Sequence, residues 1–364
     1  MDNSTKADIG DYLKVFACTA VMLQSILALI LKISLTHNEQ TGIGFTYNLV
    51  KFTAPAFIFG ILYTTIRTHP HATLKDYPTY MRGQWSALFV PTICWTSIYL
   101  LLMPQLQQHN HFHNFINFCW QFINGNAAPH MWYNTMMLQF IILMPIFWYI
   151  SRYVKNSNRR CWLIITVSTV IYFLWIDLYD KQVFHGPKMR TWYLFDRLFL
   201  SFIIYAVLGT LAWNFHKQLG HFLLKFWWSL IIIWAAVYYL INHELFSFDF
   251  PVNLYNAPYY KPSMTVYCLV IIGLIATLAF YQIKRQQIRS LKLFHWLAAY
   301  AYKAFLSHVF WLELAWLIFG KQLLKDSNPL VTIIVLYILT WLLSFASAYD
   351  LHMIWSKIKT RLLA

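Results

Sequence analysis

Charge is scarce in this chain. Asp, Glu, Lys and Arg make up 11% of its 364 residues, less than half the share of about 25% found in soluble domains. Acidic residues are the scarcer kind, 13 against 28 basic ones. No stretch is polar enough to wrap a soluble domain, and no internal repeat, low-complexity tract or Pro/Gly/Ser linker divides the chain. Residues 1–364 therefore read as one unit. Cysteines number five, and four of them (Cys18, Cys94, Cys161, Cys268) lie in apolar runs. That arrangement offers neither a disulfide framework nor a CxxC metal pattern. No cleavable leader is expected either: the first apolar run begins near Tyr12, keeps Lys14 and Lys32 at its edges and has no convincing small-residue cleavage site. It reads as a permanent span.

Apolar sequence is what the chain has in excess, 59% hydrophobic and 19% aromatic with a mean hydropathy of +0.48. Ten apolar stretches are drawn at 12–34, 46–66, 86–105, 131–150, 161–178, 192–214, 222–242, 263–283, 295–319 and 328–348. Crossing a hydrocarbon core of about 30 Å takes about 20 helical residues, so each stretch fits one span. The expected fold is an all-α integral membrane bundle of about ten transmembrane helices, with the lipid bilayer as its first partner. An even count puts both termini on one side. With that side inside, the inner segments hold 18 basic residues, among them Lys6, Lys357, Lys359 and Arg361, and the outer segments hold 7, while Lys32, Lys51 and Lys303 stay within spans. The positive-inside rule then makes both termini cytoplasmic. The net charge of +15 follows from this topology and from attraction to anionic lipid. Its dispersal over short loops excludes a nucleic-acid stripe. Part of it is also suited to collecting an anionic donor such as a coenzyme A thioester.

The outer connections differ in character from the inner ones. Residues 105–130 contain no Lys or Arg but carry His109, His111, His113 and His130 among Phe112, Phe115, Phe118, Trp120 and Phe122. Apolar spacing of three to four predicts an amphipathic helix lying at the outer headgroups. The His-x-His-x-His run has no accompanying carboxylate or cysteine, so no metal site is expected. The loops 179–193 and 243–262 add further aromatic faces, which suit both sugar stacking and the ordinary interfacial belt.

Few ionisable groups lie at membrane depth, where each costs about 2.5–3.5 kcal/mol and marks a functional candidate. Span nine carries Lys303, His308 and Glu313 at intervals of five, and the rotation of about 140° per interval keeps them from one point. His308 is the midspan group suited to general-base work near neutrality. Lys51 and Lys14 sit near the outer and inner ends of their spans and are placed to extend outward and inward respectively. Asp196 and Arg197 can pair locally, and Asp177 can reach Arg197 across a short connection.

Several stretches resemble acyltransferase family 3, the integral membrane O-acyltransferases, and in particular the branch that contains intercellular adhesion protein C. Tyr12-Leu13-Lys14 resembles the family's opening "Y-L-R" helix, and Thr53 to Gly60 is similar to its "P-x-F-F-x-x-S-G" turn. His130-Met131-Trp132-Tyr133 with Pro145 resembles its "H-L-W-Y/F" entry to span four, Leu208-Gly209 its "L-G" element, and Phe305 to His308 its "Y-L-x-H" motif. The resemblance runs over nearly the whole chain. It implies a multi-pass protein of the bacterial plasma membrane that transfers an acyl group, usually acetyl, from cytoplasmic acetyl-CoA to a hydroxyl of a cell-envelope or extracellular carbohydrate. Acyl-CoA is then a donor substrate, and no cofactor is bound permanently.

Two positions depart from the family pattern. Where the family has a basic residue in span one followed eleven positions later by a histidine, this chain has Lys14 and Ser25. Where it has two arginines before the proline of span three, this chain reads Trp85 and Leu88 before Pro91, leaving Arg82 upstream. The candidate catalytic residues are therefore His308, Ser25 and Lys14, grouped around one cleft open to the cytoplasm. Arg82 and Lys75 are the candidates for donor phosphates, and His130, Trp132 and Tyr133 for the acceptor. The alternative is a non-enzymatic glycan export or assembly protein that keeps the fold, works with glycan synthesis machinery and runs a wider path lined by aromatics.

Overall fold

The computed structural model describes residues 7–109, 111–155 and 157–363, with side chains as far as Ile354. Lys6 lies outside the described residues, as do the side chains of Lys357, Lys359 and Arg361. All described secondary structure is helical. Among the described residues eight helices are long and apolar enough to cross a bilayer, or nine if a bent pair is one span, and Phe199–Asn214 is a shorter apolar helix at the place of the expected sixth span. The protein is an all-α integral membrane bundle.

Helix α1 (Ile9–Ile30) opens on an Asp8 cap, whose carboxylate accepts from the Asp11 amide at 2.8 Å. It is the centre of the bundle, packed against α3 (Thr53–Thr68), α12 (Pro262–Lys284), α13 (Ile288–Ala315) and α15 (Pro329–Leu363). Glycine permits the closest crossings. A Cβ on Gly10 would lie 2.1 Å from Thr64 Oγ1 and 2.7 Å from the Gly60 carbonyl, and one on Gly209 would lie 2.5 Å from the Phe59 carbonyl. Those contacts press α1 and α10 (Ile203–Asn214) onto α3 from two sides.

Proline and charge account for the irregular spans. Span two is split into α2 (His37–Leu49) and α3. Span four is α7 (Trp132–Ile142) followed by α8 (Met144–Val154), bent by 54° where Pro145 removes an amide donor. The expected sixth span at 192–214 is helical only over α10. It is preceded by 3-10 turns in which Arg197 is buried against Asp196 Oδ1 (3.0 Å), Asn126 Oδ1 (2.6 Å) and the Asn124 carbonyl. The local Asp196–Arg197 pair thus forms. Asp177 turns instead to Lys181 at 2.7 Å, which corrects its expected link to Arg197.

The amphipathic segment in the third-to-fourth connection is α6 (Phe115–Asn124). Phe115, Ile116 and Ile123 face outward while Gln121 and Asn124 are buried. Helices α9 (Asn158–Gln182) and α11 (His216–Phe246) likewise show solvent a broad apolar face, with Trp162, Leu174, Ile232 and Tyr239 exposed. A surface of this kind is covered by lipid.

Candidate active site

The site is organised by the break in span two. Pro55 has no amide hydrogen to give the Lys51 carbonyl four residues before it, so the helix stops at Leu49 and restarts at Thr53. The freed carbonyls are taken up by neighbouring side chains. Tyr267 donates to the Leu49 carbonyl at 2.7 Å, Gln24 to the Val50 carbonyl at 2.5 Å, and the Cys268 thiol to the Lys51 carbonyl at 3.5 Å. Irregular backbone is tolerated at membrane depth where it borders a cavity and is satisfied in this way. The break turns Lys51 inward: it is 7% exposed, donates to the Tyr47 hydroxyl at 2.9 Å, and lies over the Tyr259 ring at 4.5 Å. It does not extend outward.

Opposite the break, α1 meets α13. Ser25 Oγ lies 2.9 Å from His308 Nε2, and His308 Nδ1 lies 2.5 Å from the Phe305 carbonyl. A carbonyl only accepts, so Nδ1 carries the proton and Nε2 presents its lone pair to the serine hydroxyl. His130 completes the group, its ring 4.7 Å from that of His308 and its Nε2 3.3 Å from the Leu306 carbonyl. By the same reasoning His130 Nδ1 is an acceptor, and among the described residues it has no partner. Tyr99 fixes this part of α13 from below, donating to the Leu306 carbonyl at 2.8 Å and accepting from the Phe310 amide at 3.1 Å.

A cavity of about 270 Å³ opens beside this group. Ser25, Lys51, Thr53, His130, Trp132, Tyr133, Tyr259 and Glu313 line it. A second cavity of about 200 Å³ is lined by Lys14, Thr64, Thr65, Gln84 and Tyr302. Phe57 is a wall of both, and its ring packs against Tyr133 (5.5 Å) and Phe305 (5.8 Å). Lys14 sits eleven residues before Ser25 on α1, about 16 Å along the helix, and interacts there with Asp11 (3.5 Å) and Thr64 (3.2 Å). The cleft expected around Lys14, Ser25 and His308 is thus two cavities with aromatic rings between them, because Phe57, Tyr133 and Phe305 fill the bundle at that depth.

The profile of the acyltransferase domain family matches residues 10–349. The chain belongs to acyltransferase family 3. No curated protein and no solved structure matches it. The family match covers every helix just described from α1 to most of α15, so the cavities lie within the acyltransferase domain.

Within that domain the structure brings together Ser25, His308, His130, Trp132 and Tyr133 and leaves the other three candidates elsewhere. Arg82 and Lys75 are exposed, Arg82 at the end of α4 (Tyr77–Gln84), two residues from the Gln84 side chain that lines the Lys14 cavity. Lys303, His308 and Glu313 on α13 part company as their spacing requires: Lys303 reaches His352 at 3.1 Å, His308 faces Ser25, and Glu313 lines the larger cavity. Sequence reasoning misses Gln24 and Thr53, counts Tyr259 only among the outward aromatic faces of loop 243–262, and misplaces Lys51. Pro55, at the head of an apolar run that begins with a lysine, was the available signal.

Proposed function

We propose that the protein transfers an acyl group, acetyl in the simplest case, from acyl-CoA on the cytoplasmic side to a carbohydrate hydroxyl on the outer side. The observation that carries this reading is the 2.9 Å contact between Ser25, which lines the larger cavity, and a buried histidine of fixed tautomer behind it, within an acyltransferase domain. His308 Nε2 takes the Ser25 proton as Oγ attacks the thioester carbonyl. The carbon–sulfur bond breaks, the sulfur takes the proton from His308 and leaves as the thiol, and the acyl group remains on Ser25 as an ester while His308 returns to its neutral form. An acceptor hydroxyl then gives its proton to His308 and attacks that ester, and Ser25 leaves with the proton. Both groups return to their starting state.

In this reading Lys14, Arg82 and Lys75 attract the donor on the inner side, and the smaller cavity receives its arm, whose thioester end extends past Phe57 to Ser25. Trp132 and Tyr133 stack against the sugar, and His130 Nδ1 accepts one of its hydroxyls. The export alternative calls for a wide continuous path, and the aromatic wall at Phe57 argues against it.

Vesicles carrying the protein, a labelled acetyl-CoA pool and native envelope glycan provide the test. Labelled glycan that disappears in folded Ser25→Ala and His308→Ala variants supports the reading. No transfer above empty vesicles, with donor and acceptor both verified, overturns it in favour of export or assembly.

A further inference from the structure

The larger cavity holds one buried cation that the chemistry above does not use. Three charged residues line it, Lys32, Lys51 and Glu313, so its lining is net positive by one charge. Lys32 is exposed and Glu313 half-buried, so water compensates both. Lys51 is different. It is 7% exposed, and among the described residues no carboxylate lies within ion-pair distance of it. Its one hydrogen bond to oxygen goes to Tyr47, and the rings of Tyr47 and Tyr259 lie 4.7 and 4.5 Å from its ammonium. An ammonium has three donors, so two remain for a ligand.

Keeping a cation this far from water is costly unless an anion compensates it. A lysine needed only for topology would extend to the interface, as its position near a span end allows. Here the Pro55 break holds it in the cavity instead, and the break is tied to the reaction centre. Gln24, the neighbour of Ser25, donates to the carbonyl of Val50, the neighbour of Lys51. A group bound at Lys51 is therefore held in fixed relation to Ser25.

We propose that Lys51 binds an anionic group of the acceptor, a carboxylate or a phosphate, which makes the substrate an acidic glycan. This rests on the acyl-transfer reading for the word acceptor, but the binding site itself does not require transfer. The ammonium supplies the charge and two hydrogen bonds to the anion. The Tyr47 and Tyr259 rings spread part of the positive charge and keep competing water out, and the Thr53 hydroxyl, 2.8 Å from that of Tyr259, orients the second ring.

Binding measured without donor tests this. Full-length protein in lipid nanodiscs is titrated calorimetrically with trigalacturonic acid, its neutral trimethyl ester, and a phosphorylated neutral trisaccharide. One acidic probe is expected to bind at least about tenfold more tightly than the ester, and which one does so identifies carboxylate or phosphate. Lys51→Met abolishes the preference, whereas Lys51→Arg keeps it. Equal affinity for acids and ester in the wild-type protein, no binding of either acid, or a preference surviving in Lys51→Met overturns the proposal. The wild-type comparison stands even where a variant fails to fold. Anion binding without transfer would sink the enzymatic reading alone, and transfer without anion preference would sink this one alone.

Discussion

The proton of the Ser25 hydroxyl has two acceptors within reach, His308 Nε2 at 2.9 Å and the Val21 carbonyl at 3.1 Å. The second is what any serine inside a helix finds four residues back; the first makes this serine different. Removing either partner should therefore separate chemistry from stability. His308→Gln is expected to lower transfer by at least about a hundredfold, the usual yield of a general base, with little change in melting temperature because Gln fills much of the imidazole volume. Equal losses of melting temperature and activity would reassign His308 to structure. Tyr99→Phe should behave in the opposite sense. It deletes a buried hydroxyl that bonds two backbone groups of α13, and the expected cost is about 1–3 kcal/mol in thermal or denaturant unfolding, with activity falling only as far as the His130–His308 geometry loosens.

Among the helices, the broken span two and the crossings on α3 respond differently to substitution. Pro55→Ala would supply an amide to the Lys51 carbonyl, now served by a long thiol contact, and would favour a continuous helix. The expected result is an unchanged or raised melting temperature together with a loss of anion preference, because a healed helix rotates Lys51 out of the cavity. Unaltered binding in Pro55→Ala would show that packing alone holds the break. Gly209→Val is the contrary case. Its Cβ would lie 2.5 Å from a backbone oxygen of α3 that has no freedom to retreat, so folded yield should drop, with a cost of at least about 1–3 kcal/mol. The similarity of Leu208-Gly209 and of the Pro55 to Gly60 stretch to the family's short motifs has a packing reason in the second case as well, since Gly60 faces Gly10 across the same crossing.

Across the whole molecule, two cavities share one phenyl ring, which the donor must pass in the proposed reaction. Phe57→Trp is expected to reduce transfer while leaving glycan binding in the larger cavity intact, measured by the vesicle assay and by titration respectively. Loss of both together would mean that Phe57 shapes the acceptor site and does not separate the cavities. Much at this scale was legible in the sequence. Runs of about 20 apolar residues are satisfied in lipid as helices, so the all-α membrane class and most of the spans follow from composition and length, while the first half of the expected sixth span is irregular. His308 was legible as well, because a polar group at midspan is rare enough to stand out. What sequence could not determine is rotation and approach: which way each helix turns, and which side chains meet across hundreds of residues of chain. The contact of Ser25 with His308, the inward turn of Lys51 and the separation of Lys14 from both were decided by packing. A helix places its residues along an axis at a depth set by sequence, whereas the facing of that axis is set by its neighbours, through the Gly10 and Gly209 crossings and the Pro55 break.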